Sequence, residues 1–402
     1  MEKVLIVGAG HAGCQLAFAL RESGYQGDVT LVNGEDAAPY HRPPLSKGFL
    51  KTGRQDQLLL RGGSAFADNN IQLLPEVARE IDRARQLVLT ESGRALPYDH
   101  LVLATGTLNR RLDLPGGDDG VLYLKSLGDA LALRNKLATA RRVAVIGAGF
   151  IGLEFAAFAS GHEKIVHVID IAPALMARTA SEEISAYFQR RHEEAGVCFR
   201  LGTKIRGLAR QDTEIRGVLL DDGELIDADL IVAGVGVTPN TRLAEAAGLP
   251  IDNGVMVDAH LLTADSSISA IGDCARFPTP YGLNPIRLES VQNANDQARS
   301  VAKRLTGTAL PYSALPWFWS DQGVDKLQIA GLPAAADRRI LRGLPAQNKF
   351  SVFSFKGEHL FAVESVNRAA DHMIARRLIS NRIKVSPAAI ADSAIDIKSL
   401  IK

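Results

Sequence analysis

Short apolar runs set the frame of this chain. Val4-Leu5-Ile6-Val7 and Val143-Ala144-Val145-Ile146 are continuous rather than alternating, the pattern of a parallel strand covered on both faces. Each runs into a glycine turn and then a helical stretch. Further runs at Val29-Thr30-Leu31-Val32, Leu101-Val102-Leu103-Ala104, Val166-His167-Val168-Ile169, Leu230-Ile231-Val232-Ala233 and Ile268-Ser269-Ala270-Ile271 continue the alternation of strand and helix. That order predicts α/β architecture with parallel sheets. From about Ser313 the pattern changes. Trp317-Phe318-Trp319 is followed by Lys349-Phe350-Ser351-Val352-Phe353-Ser354-Phe355, which alternates and predicts strands of a small α+β domain.

The glycine turns are two copies of one device: Gly8-Ala9-Gly10-His11-Ala12-Gly13 and Gly147-Ala148-Gly149-Phe150-Ile151-Gly152. Glycine permits the turn and close backbone approach to a pyrophosphate, whose charge sits on the helix N-terminus. One such fingerprint is weak evidence, but two in strand–turn–helix context predict two dinucleotide sites, a flavin and a nicotinamide exchanging electrons. The expected fold is two Rossmann-like nucleotide-binding domains, the second inserted in the first, plus a C-terminal α+β domain. The expected segments are 1–108 and 237–312 for FAD, 109–236 for NADH, and 313–402 for the last domain.

Each unit needs an acid for the ribose hydroxyls after its second strand. In the second unit Asp170 ends that strand. A carboxylate there suits NADH and repels a 2'-phosphate, and Ile171-Ala172-Pro173 supplies no arginine. In the first unit the stretch reads Asn33-Gly34-Glu35-Asp36, making Glu35 the leading candidate and Asn33 the alternative. Between the fingerprints, Tyr40-His41-Arg42-Pro43-Pro44-Leu45-Ser46-Lys47 cannot continue a strand and could stiffen a loop over a ligand.

Composition narrows the class. At 402 residues two or three domains are expected; 46 Lys and Arg against 45 Asp and Glu give no global basic field for nucleic acid. Met1-Glu2-Lys3 leads directly into a strand, and no run approaches the ~18 apolar residues of a membrane span. A cytoplasmic enzyme is expected, with no nucleic-acid or membrane partner, as a monomer or weak dimer. Cys14, Cys198 and Cys274 form no Cys-x-x-Cys, which excludes a dithiol redox centre and offers no metal site. Cys14 sits at a helix start where its thiol pKa could fall, but a small buried residue is the favoured reading.

Taken together, Gly8–Gly13, Arg42-Pro43-Pro44-Leu45-Ser46-Lys47, Ala104-Thr105-Gly106, Gly147–Gly152 with Glu154, Gly272-Asp273 and Pro316-Trp317-Phe318-Trp319-Ser320-Asp321-Gln322 resemble the putidaredoxin reductase type of NADH-dependent ferredoxin reductase. The resemblance spans essentially the whole chain. It implies a glutathione-reductase-like fold that passes hydride from NADH to FAD, then single electrons to a two-iron two-sulfur ferredoxin serving a haem monooxygenase or ring-hydroxylating dioxygenase. It implies that Lys47 lies near flavin N5, paired with Glu154, and that Asp273 binds the ribitol. It implies that Arg42 and Arg110 approach the pyrophosphate or ring edge, and that Trp319 covers the flavin or lies where ferredoxin docks. Further cofactor contacts are implied at Ala78, Ala104, Thr105, Gly106, Gly236, Gly272 and Val291. Gly34 stands where the family usually has Asp. Arg61, Arg299 and Lys303 are candidates for a basic docking patch.

Rivals on the same fold are an NADH oxidase or peroxide reductase and a rubredoxin reductase. A single-cysteine oxidase needs its thiol in the loop after the second strand, and Tyr40–Lys47 contains none. A flavoprotein that senses NADH without catalysis, similar to apoptosis-inducing factor, is the non-enzymatic alternative.

Overall fold

The computed structural model describes residues 2–212, 214–333 and 336–401. The site-building elements begin with β1 (Lys3–Val7), α1 (His11–Glu22), β2 (Asp28–Val32), β3 (Ile71–Leu74) and β4 (His100–Leu103). Next come β5 (Leu122–Tyr123), β6 (Arg142–Ile146), α2 (Phe150–Ser160), β7 (Ile165–Asp170), α3 (Glu182–Glu194), β8 (Val197–Leu201) and β9 (Leu230–Ala233). Then follow β10 (Ile268–Ala270), α4 (Val291–Leu305), β11 (Trp317–Gln322), β12 (Asp325–Gly331), β13 (Arg338–Leu344), β14 (Lys349–Lys356), β15 (His359–Val366) and α5 (Ala369–Ser380).

The chain forms two compact units: Met1–His41 with Gln55–Leu108 and Thr238–Pro316, and Arg42–Arg54 with Asn109–Val237 and Trp317–Lys402. The first is built on a parallel sheet of order β10-β4-β1-β2-β3. Its central strand is covered on both faces, which is why Val4–Val7 is apolar throughout. Val4 and Ile6 pack with Leu16 and Leu20 of α1 and Ala298 and Val301 of α4. Leu5 and Val7 pack on the other side with Leu96, Tyr98 and Ile268. Ile268 pairs with Leu101, so the returning chain re-enters the sheet it left.

The second unit repeats the plan with the parallel order β8-β7-β6-β9-β5. Its fingerprint strand β6 is again flanked by the strand after the helix and by a closing strand. It also carries an antiparallel sheet of order β11-β12-β15-β14-β13. Lys349–Phe355 forms a strand, as its pattern predicts, within β14. Residues 350–355 of β14 do not alternate in environment: all are buried, including Ser351 and Ser354. Tyr187 of α3 lies edge-on to Phe350 at 5.0 Å, while Ser351 Oγ donates to Asp371 of α5, so both faces of the strand are covered. Residues 42–54 pack in this second unit rather than with 1–108. Arg42 donates to Lys125 O at 2.8 Å, and Ser46 and Lys47 both reach Glu154.

Candidate functional site

The first cradle follows β1. Gly8 has φ +108°, and a side chain there would strike Ala104 O, so both its conformation and its space demand glycine. Gly13 lies so close to Gly8 O that a Cβ would overlap it. A Cβ on Gly10 would meet nothing within 4 Å, and Gly10, as the N-cap of α1, makes no side-chain cap bond. Two glycines therefore close the turn while the middle one leaves open space at the start of α1. That is the geometry a pyrophosphate requires. Ala12 abuts Gly272, where a Cβ would sit 3.0 Å from it, and Gly272 N donates to Gln297 at 2.7 Å. Thr105 Oγ1 donates to Asn240 O and Gly106 O accepts from Asn240 N, pinning the loop after β4.

The other predicted contacts of this unit sit on several separate elements. Asp273 is half-buried in a short turn after β10. Val291 opens α4, which Ser290 caps by accepting from Asn293 N. Ala78 is half-buried in an antiparallel strand. After β2, Asn33 Nδ2 donates to Ala37 O and so builds the turn itself, while Glu35 accepts from Tyr40 Oη at 2.6 Å. His11 of the fingerprint meets His41 at 3.3 Å, a pairing that nothing in the sequence pattern indicates. Cys14 follows the small-buried-residue reading, because burial pushes its thiol up to about 11. Arg61 lies with its guanidinium 4.8 Å over Phe18 and is half-buried, whereas Arg299 and Lys303 are exposed on α4. Arg299 also pairs with Asp296 at 3.4 Å.

The second cradle repeats the first. Gly147 has φ +106°, and a Cβ would lie 2.5 Å from Gly234 O; Gly149 is open, uncapped, and starts α2. Gly152 closes on Gly147 O. Phe150 packs edge-on against Phe318 at 4.9 Å, while Ile151 is 48% exposed. Asp170 does more than end β7: one carboxylate oxygen accepts from Ala148 N at 2.6 Å and the other from Ala172 N at 2.7 Å. It ties the fingerprint loop to the strand end. Gly236, with φ +99°, accepts from Arg110 N through its carbonyl and borders the Arg178 guanidinium.

One turn into α2 lies Glu154, only 8% exposed. Lys47 Nζ is 3.0 Å from its Oε1, so the structure brings together the two residues predicted to act as a pair. Three donors were not anticipated. Ser46 Oγ donates to Oε2 at 2.6 Å, Ser320 Oγ to Oε1 at 2.7 Å, and Asp321 N to Oε1 at 3.3 Å. Lys47 also touches the Asp321 carboxylate at 3.3 Å. A lysine held by a buried and a half-exposed carboxylate is a positioned positive charge, suited to stabilising developing negative charge. Trp319 precedes Ser320 on β11, half-buried and 5.9 Å from Trp317. Among the described residues no cluster of His, Cys, Asp or Glu could hold a metal ion, and no helix is long and apolar enough to cross a membrane.

Comparison with known proteins agrees with this geometry. Residues 2–298 match the pyridine nucleotide-disulphide oxidoreductase model, and residues 317–401 match the reductase C-terminal model. Rhodocoxin reductase of Rhodococcus erythropolis is 45% identical, over 99% of this chain and 94% of that protein. The ferredoxin reductase for the CYP199A2 system of Rhodopseudomonas palustris superposes with a TM-score of 0.98 at 48% identity, covering 100% of both chains. The reductase in the covalent putidaredoxin reductase–putidaredoxin complex superposes with a TM-score of 0.96 at 41% identity, covering 100% of this chain and 98% of that one. With its two glycine cradles and its C-terminal sheet, the chain belongs to the pyridine nucleotide-disulphide oxidoreductase family and carries the reductase C-terminal domain.

Proposed function

We propose that this chain is an FAD-dependent NADH:ferredoxin reductase that supplies a two-iron two-sulfur ferredoxin of an oxygenase system. The carrying observation is the pair of open, uncapped cradles on one chain, together with relatives of the same function matched over nearly their whole length. FAD, when bound, supplies the exchange between a two-electron donor and a one-electron acceptor. The protein's own part is to bind, orient and place charge. Gly10 and α1 would hold the FAD pyrophosphate, and Gly149 and α2 that of NADH. Asp170 would favour the free ribose hydroxyls of NADH. Lys47, anchored by Glu154, would present its ammonium to the flavin. Asp273, Arg42 and Arg110 would complete the flavin contacts. The protein would work in the cytoplasm as a monomer or weak dimer.

The cysteines argue against a thiol-based oxidase. All three are free; burial raises the pKa of Cys14 and of Cys274, so neither is a ready thiolate. The deciding experiment supplies the FAD-loaded enzyme with NADH and offers a two-iron ferredoxin, a rubredoxin and hydrogen peroxide in parallel. Fast turnover with the ferredoxin alone is expected. Turnover with peroxide alone, or none with any acceptor, would overturn the assignment.

A further inference from the structure

The Glu154 carboxylate is gripped from both ends. Ser46 Oγ holds Oε2, while Ser320 Oγ and the Asp321 N–H hold Oε1, the oxygen that Lys47 also contacts. A hydroxyl has one proton to give. At 2.6 Å, Ser46 spends it on Glu154 rather than on Pro43 O at 3.4 Å. Ser320 is aimed from behind: Gln322 Nε2 reaches its oxygen at 3.4 Å, and Gln322 Oε1 faces His192 Nε2 at 2.9 Å. Ser320, Gln322 and His192 are all buried. Because an amide oxygen only accepts, His192 carries its proton on Nε2. The whole row then points one way, toward Glu154.

Lys47 has a choice of partners. Glu154 is 8% exposed, and Asp321 is 37% exposed and shares its other oxygen with Lys326 at 3.7 Å. A carboxylate free to rotate would release the ammonium toward the wetter partner. We propose that Ser46 and Ser320 are positioning residues for the reductase reaction, clamping Glu154 so that Lys47 stays beside bound flavin instead of following Asp321. This rests on the reading that Lys47 serves the flavin.

The test uses FAD-loaded S46A/S320A, S46T/S320T and K47A proteins. In stopped flow with NADH, the limiting rate of flavin bleaching in S46A/S320A should fall about tenfold, with the half-saturating NADH concentration changed less than about twofold. Its flavin midpoint potential should move away from that of the unaltered protein. The S46T/S320T protein, which keeps both hydroxyls, should recover most of the rate. K47A should be at least as slow as S46A/S320A. A fully FAD-loaded S46A/S320A with unaltered rate and potential overturns the clamp, as does a threonine variant no better than the alanine one. If K47A bleaches at the normal rate, the placement of Lys47 at the flavin fails and the clamp with it. A slow K47A beside a normal serine variant condemns the clamp alone. Should S46A/S320A lose FAD, S46A carries the same test with an expected fall of about threefold.

Discussion

The two glycine cradles share their backbone and differ in what their helices carry. Gly8 and Gly147 have nearly the same left-handed φ, Gly10 and Gly149 are both open, and Gly13 and Gly152 both close on the first glycine. Gln15 of α1 and Glu154 of α2 occupy equivalent places in the repeated pattern. Gln15 is half-exposed, while Glu154 is buried under four donors. The acids after the second strands differ too: Glu35 answers to a tyrosine, but Asp170 answers to its own fingerprint loop. The repeated part is the backbone cradle. The unrepeated part is what the helix after each cradle carries and what its side chains meet.

The hardest break falls on the glycines. G147A places a side chain at φ +106° against Gly234 O and should destabilise the protein by about 3 kcal/mol or more, seen as a lowered melting temperature. G149A enters open space and should change the apoprotein by no more than about 1 kcal/mol, while obstructing the nucleotide and raising the NADH requirement. G8A and G10A should repeat this contrast, with FAD retention replacing NADH affinity as the readout. A G149A protein that melts early yet binds NADH normally would show that the middle glycine serves packing.

The units should also part company with pH. In the second, Glu364 is fully buried and desolvation raises its carboxyl from 4.5 to about 7. The folded state then holds a proton that the unfolded state has released. Stability therefore falls as pH rises from about 4.5 to about 7, by about 3 kcal/mol in all. E364Q should remove this fall, so its melting curve should match that of the unaltered protein near pH 5 and exceed it near pH 8. In the first unit, His100 is buried against Ser269 and held down at about 3. Its contribution has the opposite sign, present above about 6.5 and lost as pH falls toward 3. A melting profile without a Glu364-dependent slope would refute the burial argument.

Asp170 should give a smaller effect. D170N removes a charged acceptor from two backbone N–H groups and from the proposed ribose contact, and should narrow the preference for NADH over NADPH by about 1–3 kcal/mol. Equal bleaching rates with both nucleotides in the unaltered protein would sink the coenzyme assignment outright. The mildest prediction concerns the acceptor. R299E should slow ferredoxin reduction while sparing ferricyanide reduction. Raising the salt should act likewise, since charge complementarity mainly speeds encounter over a Debye length of about 8–10 Å. Arg299 is exposed, whereas Arg61 lies against Phe18, so R61E is expected to disturb packing as well.

The sequence was most legible where function and local geometry coincide. An apolar run before Gly-x-Gly-x-x-Gly specifies strand, turn and helix within a few residues, so both cradles could be read directly. Lys349–Phe355 was legible as a strand, but its burial on both faces was not, because Tyr187 and Asp371, which cover it, come from other elements. The partners of Glu154 were beyond reach for a different reason. Ser46 and Ser320 lie 108 and 166 positions away, and no local periodicity links them. Cys14 was readable in outcome, since burial disfavours its thiolate by more than the nearby Arg61 favours it.

The grip of β11 on Glu154 bears on how such enzymes can be recombined. The C-terminal segment looks like a module that could be exchanged between relatives to retarget electron flow. Yet Ser320 and Asp321 reach back across it to an acid placed by the second cradle, and Ser46 arrives from a third stretch of chain. A chimera joined at residue 316 would inherit half of that arrangement from each parent. Its designer should transplant the Ser46-Lys47 loop, Glu154 and the Ser320-Asp321 pair as one set, wherever the seams are cut.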